Sequence, residues 1–248
     1  FLISALYLSL CGFVVFISGE RMALATFLLA FGLLIILVKK SRLIFITSLI
    51  AFILISLTVF KQHDHYQNYK IIKSEPYHLG LTIEKYNKKC TGNNECSRII
   101  KVQPKLTKII KNFSESAYSD AFSLAYTMFK SYPITGIGMN NFKYGCINKK
   151  EYKKDVCWNH PHNFYLQSLT ETGLIGFILF LSYITIIFKI VINKFKNSDY
   201  SKFALVNLII IFWPIMSTGS LLKNWHGIET FFVIGLCLSV LNLKNKNF

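Results

Sequence analysis

Two side chains, His162 and Arg21, have the type and setting to do chemistry. His162 lies in His160-Pro161-His162-Asn163, a polar segment that runs into an apolar stretch beginning at Gly173. An imidazole titrates near neutrality, and an ionisable group at the mouth of a membrane span is costly to bury, which marks it as a candidate functional residue. The competing reading is an interfacial His that only caps the helix. Arg21 sits in Gly19-Glu20-Arg21, the short polar break between the first two apolar runs. A guanidinium held there offers a planar fork of donors to phosphate oxygens. It could equally snorkel to anchor the helix end, or pair with Glu20.

The elements that must position these residues follow from hydropathy. Of the 248 residues, 52% are hydrophobic, and they are gathered in runs too long for a soluble core. The fold class expected is an all-α integral membrane protein with six transmembrane helices. The spans are Phe1 to Ser18, Met22 to Val38, Leu43 to Phe60, Gly173 to about Ile192, Phe203 to Leu222, and Glu229 to Leu243. Backbone polar groups cannot stay unpaired in lipid, so each run must be helical. Three regions result: residues 1–60 with three spans, a loop domain 61–172 expected to be mostly helical, and residues 173–248 with three more spans. Phe1 opens inside an apolar run with no charged segment before it, so we expect this run not to be a signal peptide and the chain to be a fragment with spans missing upstream.

The formal charge of +16 does not point to nucleic acid, because the basic residues sit between spans and in one loop. Membrane lipid or an anionic substrate is the expected partner. Lys39, Lys40 and Arg42, then Lys189, Lys194, Lys196 and Lys202, then Lys244 and Lys246 all fall on one face of a six-span chain, which the positive-inside bias makes cytoplasmic. The loop from Lys61 to His162 and the turn Lys223-Asn224-Trp225-His226 then lie outside. That turn could extend a ligand surface or serve as an aromatic-belt anchor.

The loop is too long to be a passive connection. It carries seventeen Lys/Arg against eight Asp/Glu, and long loops are exempt from the charge rule. Ser116 to Lys130 has helical spacing, with Ala121, Leu124, Ala125 and Met128 on one face, and ends at Tyr132-Pro133. Lys101 to Asn112 is a second helix candidate; His63 to Thr82 and Tyr86 to Cys96 show little periodicity. Four Cys outside the cytoplasm suggest disulfides, most simply Cys90 with Cys96 and Cys146 with Cys157. His63-Asp64-His65 has poor ligand geometry by itself, so no metal site is expected. Pro133 to Phe142 has glycines but lacks the Lys-Ser/Thr and βαβ context of a phosphate loop.

His162-Asn163, Leu166-Gln167 and Glu171-x-Gly173-Leu174-Ile175-Gly176 together resemble the O-antigen ligase and O-antigen polymerase superfamily, in which a His and a Gly frame ten residues at the end of a large periplasmic loop. Ser18-Gly19-Glu20-Arg21 is similar to the family's Ser-Gly-x-Arg at an outer helix end. Pro133-x-x-Gly136-x-Gly138-x-x-x-Phe142 is similar to its turn before the His. The resemblance covers roughly residues 1 to 190. It implies a multi-pass protein of the bacterial inner membrane, active on its periplasmic face and needing no cofactor or metal. The activity implied is transfer of a glycan from undecaprenyl pyrophosphate to an acceptor hydroxyl, on a lipid A-core sugar in ligases, another lipid-linked repeat in polymerases, or a protein in related oligosaccharyltransferases. Arg21 would engage the donor pyrophosphate, and His162 would act on the acceptor hydroxyl as base or orienting group. One departure is plain: family members usually carry a second Arg early in the helix before the turn, where this chain has Tyr118. Arg98, Lys108 or Lys111 would then have to supply the charge. A transporter of an anionic substrate and a basic-loop sensor are the readings from other classes.

Overall fold

A computed structural model describes residues 1–62, 70–76, 82–89, 95–102, 111–116, 118–148, 157–196, 198–215 and 219–242. Three helices open the chain: α1 (Leu2–Ile17), α2 (Arg21–Leu37) and α3 (Arg42–Gln62). Several hydroxyls within them fold back onto their own helix, as Ser9 does to Ala5, Thr26 to Met22 and Ser48 to Ile44, which satisfies them in an apolar setting. Arg42 Nε donates to the Ile35 carbonyl at 2.7 Å and closes the end of α2. The stretch 39–59 and the helix α6 (Phe164–Asn193) are long and apolar enough to cross a membrane. Only 22% and 11% of their apolar windows are buried, so neither is the core helix of a soluble protein. Shorter apolar helices are α1, α2 and 225–239.

The long loop departs from the mostly helical expectation. It holds an antiparallel meander, β1 (Lys70–Pro76), β2 (Thr82–Lys89) and β3 (Glu95–Val102), in the order β1-β2-β3. β2 pairs Lys85 with Ile99 and Tyr86 with Arg98. Its sequence TIEKYNKK has no regular alternation of apolar and polar residues from which a strand could be read. The candidate helix 101–112 begins inside β3, and most of it lies outside the described residues. The other loop helix forms as α4 (Ser119–Ser131), with Ala121, Leu124, Ala125 and Met128 buried. A short α5 (Phe142–Asn148) completes a small core with Leu124, Met128, Phe142 and Cys146.

The remaining α-helices among the described residues are α7 (Asp199–Ile211) and α8 (Asn224–Ser239). The expected fifth span, Phe203 to Leu222, is shorter at its far end: the helix stops at Ile211, because Pro214 cannot continue the hydrogen-bond ladder. Ile184, Val191, Leu208, Phe212 and Ile234 fill the core among α6, α7 and α8. One cleft brings the end of α2 (Ile36, Leu37) together with Phe195 beyond α6 and Asp199 at the start of α7. α2 packs along α7, so from this basic end α2 leads back to Arg21 while α7 leads forward to Ile211 at the opposite end.

Helix α6 is two helices meeting at Gly173, whose φ 64°, ψ −163° is not helical. Tyr165 and Phe180 are fifteen residues apart and would be ~22 Å apart along a straight helix. Their rings meet at 5.7 Å, so the chain folds back at the break. A break strips main-chain groups of their partners, and the turn 133–138 supplies replacements. Leu174 N–H donates to Pro133 O at 2.9 Å and Ile175 N–H to Ile134 O at 3.3 Å. In return Ile137 N–H donates to Thr170 O at 3.0 Å and Gly138 N–H to Glu171 O at 2.9 Å. A methyl on Gly173 would overlap the Ile134 carbonyl, and one on Gly136 would overlap the backbone of Glu171. Gly136 is also left-handed, at φ 71°.

Gly173→Ala should therefore lower stability by at least ~2 kcal/mol, from strain and overlap together. Gly32→Ala, where nothing lies within 4 Å of the added methyl, should be neutral or stabilising by less than ~1 kcal/mol. Thermal unfolding of the purified protein in detergent checks both; equal midpoints for the two variants would contradict the close approach.

Candidate functional site

The chain reaches His162 through Pro161, which is fully buried, and leaves it through Asn163, which is 6% exposed. Asn163 caps α6: its Oδ1 accepts from Tyr165 N–H at 3.0 Å and Leu166 N–H at 3.1 Å. Its Nδ2 donates to the Pro214 carbonyl at 2.8 Å, a group left open by the end of α7. Tyr165 does the same for Phe212, donating its hydroxyl to the carbonyl at 2.7 Å. The cap is thus Asn163, and the reading of His162 as a mere helix cap gives way. His162 itself has φ 56°, a left-handed conformation uncommon outside glycine. Such strain persists only where the surroundings fix it, here a buried Pro on one side and a doubly anchored Asn on the other.

Aromatic rings surround the imidazole. Tyr118, at the N-cap of α4, lies 5.0 Å from it between ring centres; Trp158 meets it edge-on at 5.2 Å; His160 lies 4.2 Å away. Tyr118 and Trp158 are themselves 6.3 Å apart. Cys146 and Cys157 form a disulfide with Cα atoms 5.7 Å apart, which ties α5 to the residue before Trp158. The position at which the second family Arg was missed is therefore in ring contact with His162. Tyr118, Trp158 and His160 were not singled out as site residues from sequence. The His-Pro-His spacing and the Trp beside a disulfide Cys were the only hints.

Gln167 and Glu171 are buried on the loop side of the Gly173 break. Gln167 Nε2 donates to Glu171 Oε2 at 3.1 Å and to Ser220 Oγ at 2.6 Å. Burial pushes the Glu171 carboxyl above its usual range, while Gln167 and the Asn140 and Phe142 amides pull it the other way. Thr170 Oγ1 donates to the Ala125 carbonyl at 3.2 Å, joining α6 to α4. This network ties the first turns of α6 to α4 and to Ser220.

Arg21 begins α2, with Glu20 at its N-cap. Because α2 and α7 run in opposite directions from the basic end, Arg21 lies at the same end of the bundle as Phe212, Pro214 and so His162. Arg98 is on β3 opposite Tyr86, and Lys111 is exposed beside the short turn Phe113–Glu115. Lys108, Cys90 and His63-Asp64-His65 lie outside the described residues. Among the described residues no group of three His, Cys, Asp or Glu side chains could hold a metal.

The family model for O-antigen ligases matches residues 6–181, well over half of the chain, from within α1 to beyond the Gly173 break. The chain belongs to the O-antigen ligase family. No curated protein and no solved structure matches it. Family membership together with the lipid-suited helices makes this a membrane protein of surface-polysaccharide assembly, an enzyme of the glycosyl-transferring O-antigen ligase type.

Loss of the Asn163 anchors should be visible as stability. Asn163→Ala removes a cap worth ~1 kcal/mol and a further bond of ~1 kcal/mol to Pro214. Asn163→Ser keeps a capping oxygen and loses only the bridge. The expected order of unfolding midpoints is wild type, then Asn163→Ser, then Asn163→Ala; a midpoint for Asn163→Ala equal to wild type would remove the clamp from the argument.

Proposed function

We propose that this protein joins a glycan, carried on undecaprenyl pyrophosphate, to an acceptor hydroxyl on the periplasmic face of the bacterial inner membrane, as an O-antigen ligase does, on a lipid A-core or other glycan acceptor. The proposal takes the six helices as transmembrane and the His162 end of the bundle as the outer one. The observation that carries it is the strained, doubly anchored His162, which no capping duty explains, at the same end of the bundle as Arg21.

In the proposed step the acceptor oxygen attacks the anomeric carbon of the donor sugar. The hydroxyl proton passes to a nitrogen of His162, and the bond from the anomeric carbon to the diphosphate breaks. The bonding pair leaves with the diphosphate, whose growing charge Arg21 offsets. A general base contributes typically ~10²–10⁴-fold, so alignment of the two sugars and the electrostatics around the diphosphate must supply most of the acceleration. Tyr118 and Trp158 hold the imidazole from two sides. A polymerase would use the same site with a second lipid-linked repeat as acceptor.

The test is surface glycan in a deletion strain complemented with variants at wild-type abundance. His162→Ala should reduce glycan joining by ~10²-fold or more, and Arg21→Ala should do the same, with Arg21→Lys recovering part. Tyr118→Phe should stay near wild type while Tyr118→Ala falls, since only the ring contact is invoked. Full-length polymer stranded on its lipid would mark a ligase, single capped units a polymerase. Wild-type glycan from both His162→Ala and Arg21→Ala would refute the assignment.

A further inference from the structure

At the end of the bundle away from His162, a cleft of about 720 Å³ opens between the end of α2, the turn Lys39–Ser41, the end of α6 and the start of α7. Its lining is of two kinds. Ile36, Leu37 and Phe195 are apolar; Lys39, Lys40, Lys202 and Asp199 are charged. Lys202 Nζ meets Asp199 Oδ1 at 2.6 Å, so that pair offsets itself. Among the described lining residues, three ammonium groups against one carboxylate leave the cleft cationic, and Lys39 and Lys40 supply the excess.

The walls are built rather than incidental. Val38 is fully buried and Arg42 is bonded to the Ile35 and Ile36 carbonyls, which fixes the corner from which Lys39 and Lys40 project. Beside those lysines Ile36 is 66% exposed. A cationic rim next to an open apolar side chain suits an amphiphile: a phosphate to meet the lysines and a hydrocarbon chain to cover Ile36 and Leu37. A soluble anion would leave the apolar wall wet. The glycan donor is not the occupant, because its proposed site is at the other end of the bundle.

We propose that this cleft binds the headgroup of an anionic phospholipid, with the phosphate between Lys39 and Lys40. The proposal rests on the reading of these helices as membrane-spanning, and it is independent of the role given to His162. Each lysine near an anionic headgroup contributes about fivefold in affinity, so removing both should cost roughly 25-fold.

The experiment is native mass spectrometry of the full chain in detergent, titrated with phosphatidylglycerol or phosphatidylcholine. Wild type should retain phosphatidylglycerol in preference to phosphatidylcholine. Lys39→Gln with Lys40→Gln should weaken phosphatidylglycerol by the stated factor and leave phosphatidylcholine unchanged. Asp199→Asn, which removes the carboxylate among the described lining residues, should strengthen it, so a gain is expected as well as a loss. His162→Ala should bind lipid as wild type does, whatever its effect on glycan joining, which keeps this test separate from the previous one. Equal retention of the two lipids, or no change in the double variant, overturns the proposal. Displacement by millimolar inorganic phosphate would do so too, by making the cleft a site for a soluble anion.

Discussion

A helix broken at Gly173 leaves carbonyls on one side and amides on the other without partners, and an apolar setting gives them no water. That constraint governs the site. The turn 133–138 answers it with four main-chain bonds, two in each direction. Main-chain bonds do not depend on which side chains occupy the turn, except that Gly136 and Gly173 must lack a Cβ for the backbones to approach. The glycines of the motif are therefore two halves of one contact. Their distance in sequence is the reason they read as separate motifs.

From this contact the rest of the site is placed. The fold-back at Gly173 carries the first half of α6 across the end of α7, where Asn163 and Tyr165 meet the carbonyls that Pro214 and the helix end leave open. Two interruptions, a Gly in one helix and a Pro after another, thus satisfy each other's surroundings. The cost of the left-handed backbone at His162 is of order 1–3 kcal/mol, and the clamp formed by buried Pro161 and Asn163 is of the size needed to hold it.

How far this could be read from residues depended on range. The apolar stretch opening at Gly173 and the α4 face of Ala121, Leu124, Ala125 and Met128 are local patterns of composition or period, and the structure has helices there; the left-handed break at Gly173 itself comes from the structure. The meander was missed because KIIKSEP, TIEKYNKK and ECSRIIKV show no sustained alternation of apolar and polar residues. The end of α7 was drawn too late because Trp213 and Ile215 kept the hydropathy high across a proline. Trp158 and His160 are neighbours of His162 in the chain, whereas the Tyr118 contact is nonlocal: Tyr118 reaches His162 because α4 packs on α6. No spacing rule contains that information.

Tyr118 changes the electrostatics that the family pattern would lead one to expect. An Arg at this position would set a second fixed cation within about 5 Å of the imidazole, and two positive charges so close repel as soon as His162 takes a proton. An aromatic ring does the opposite, since its π face attracts a cation. In the proposed reaction the two tasks are then divided in space: the proton goes to an imidazole walled by rings, and the departing diphosphate is met by Arg21 from a different helix. With one guanidinium fewer beside the base, more of the leaving-group stabilisation falls to Arg21 and to whichever loop cation reaches the diphosphate. The stake on Arg21 is correspondingly higher here than in a relative that carries both.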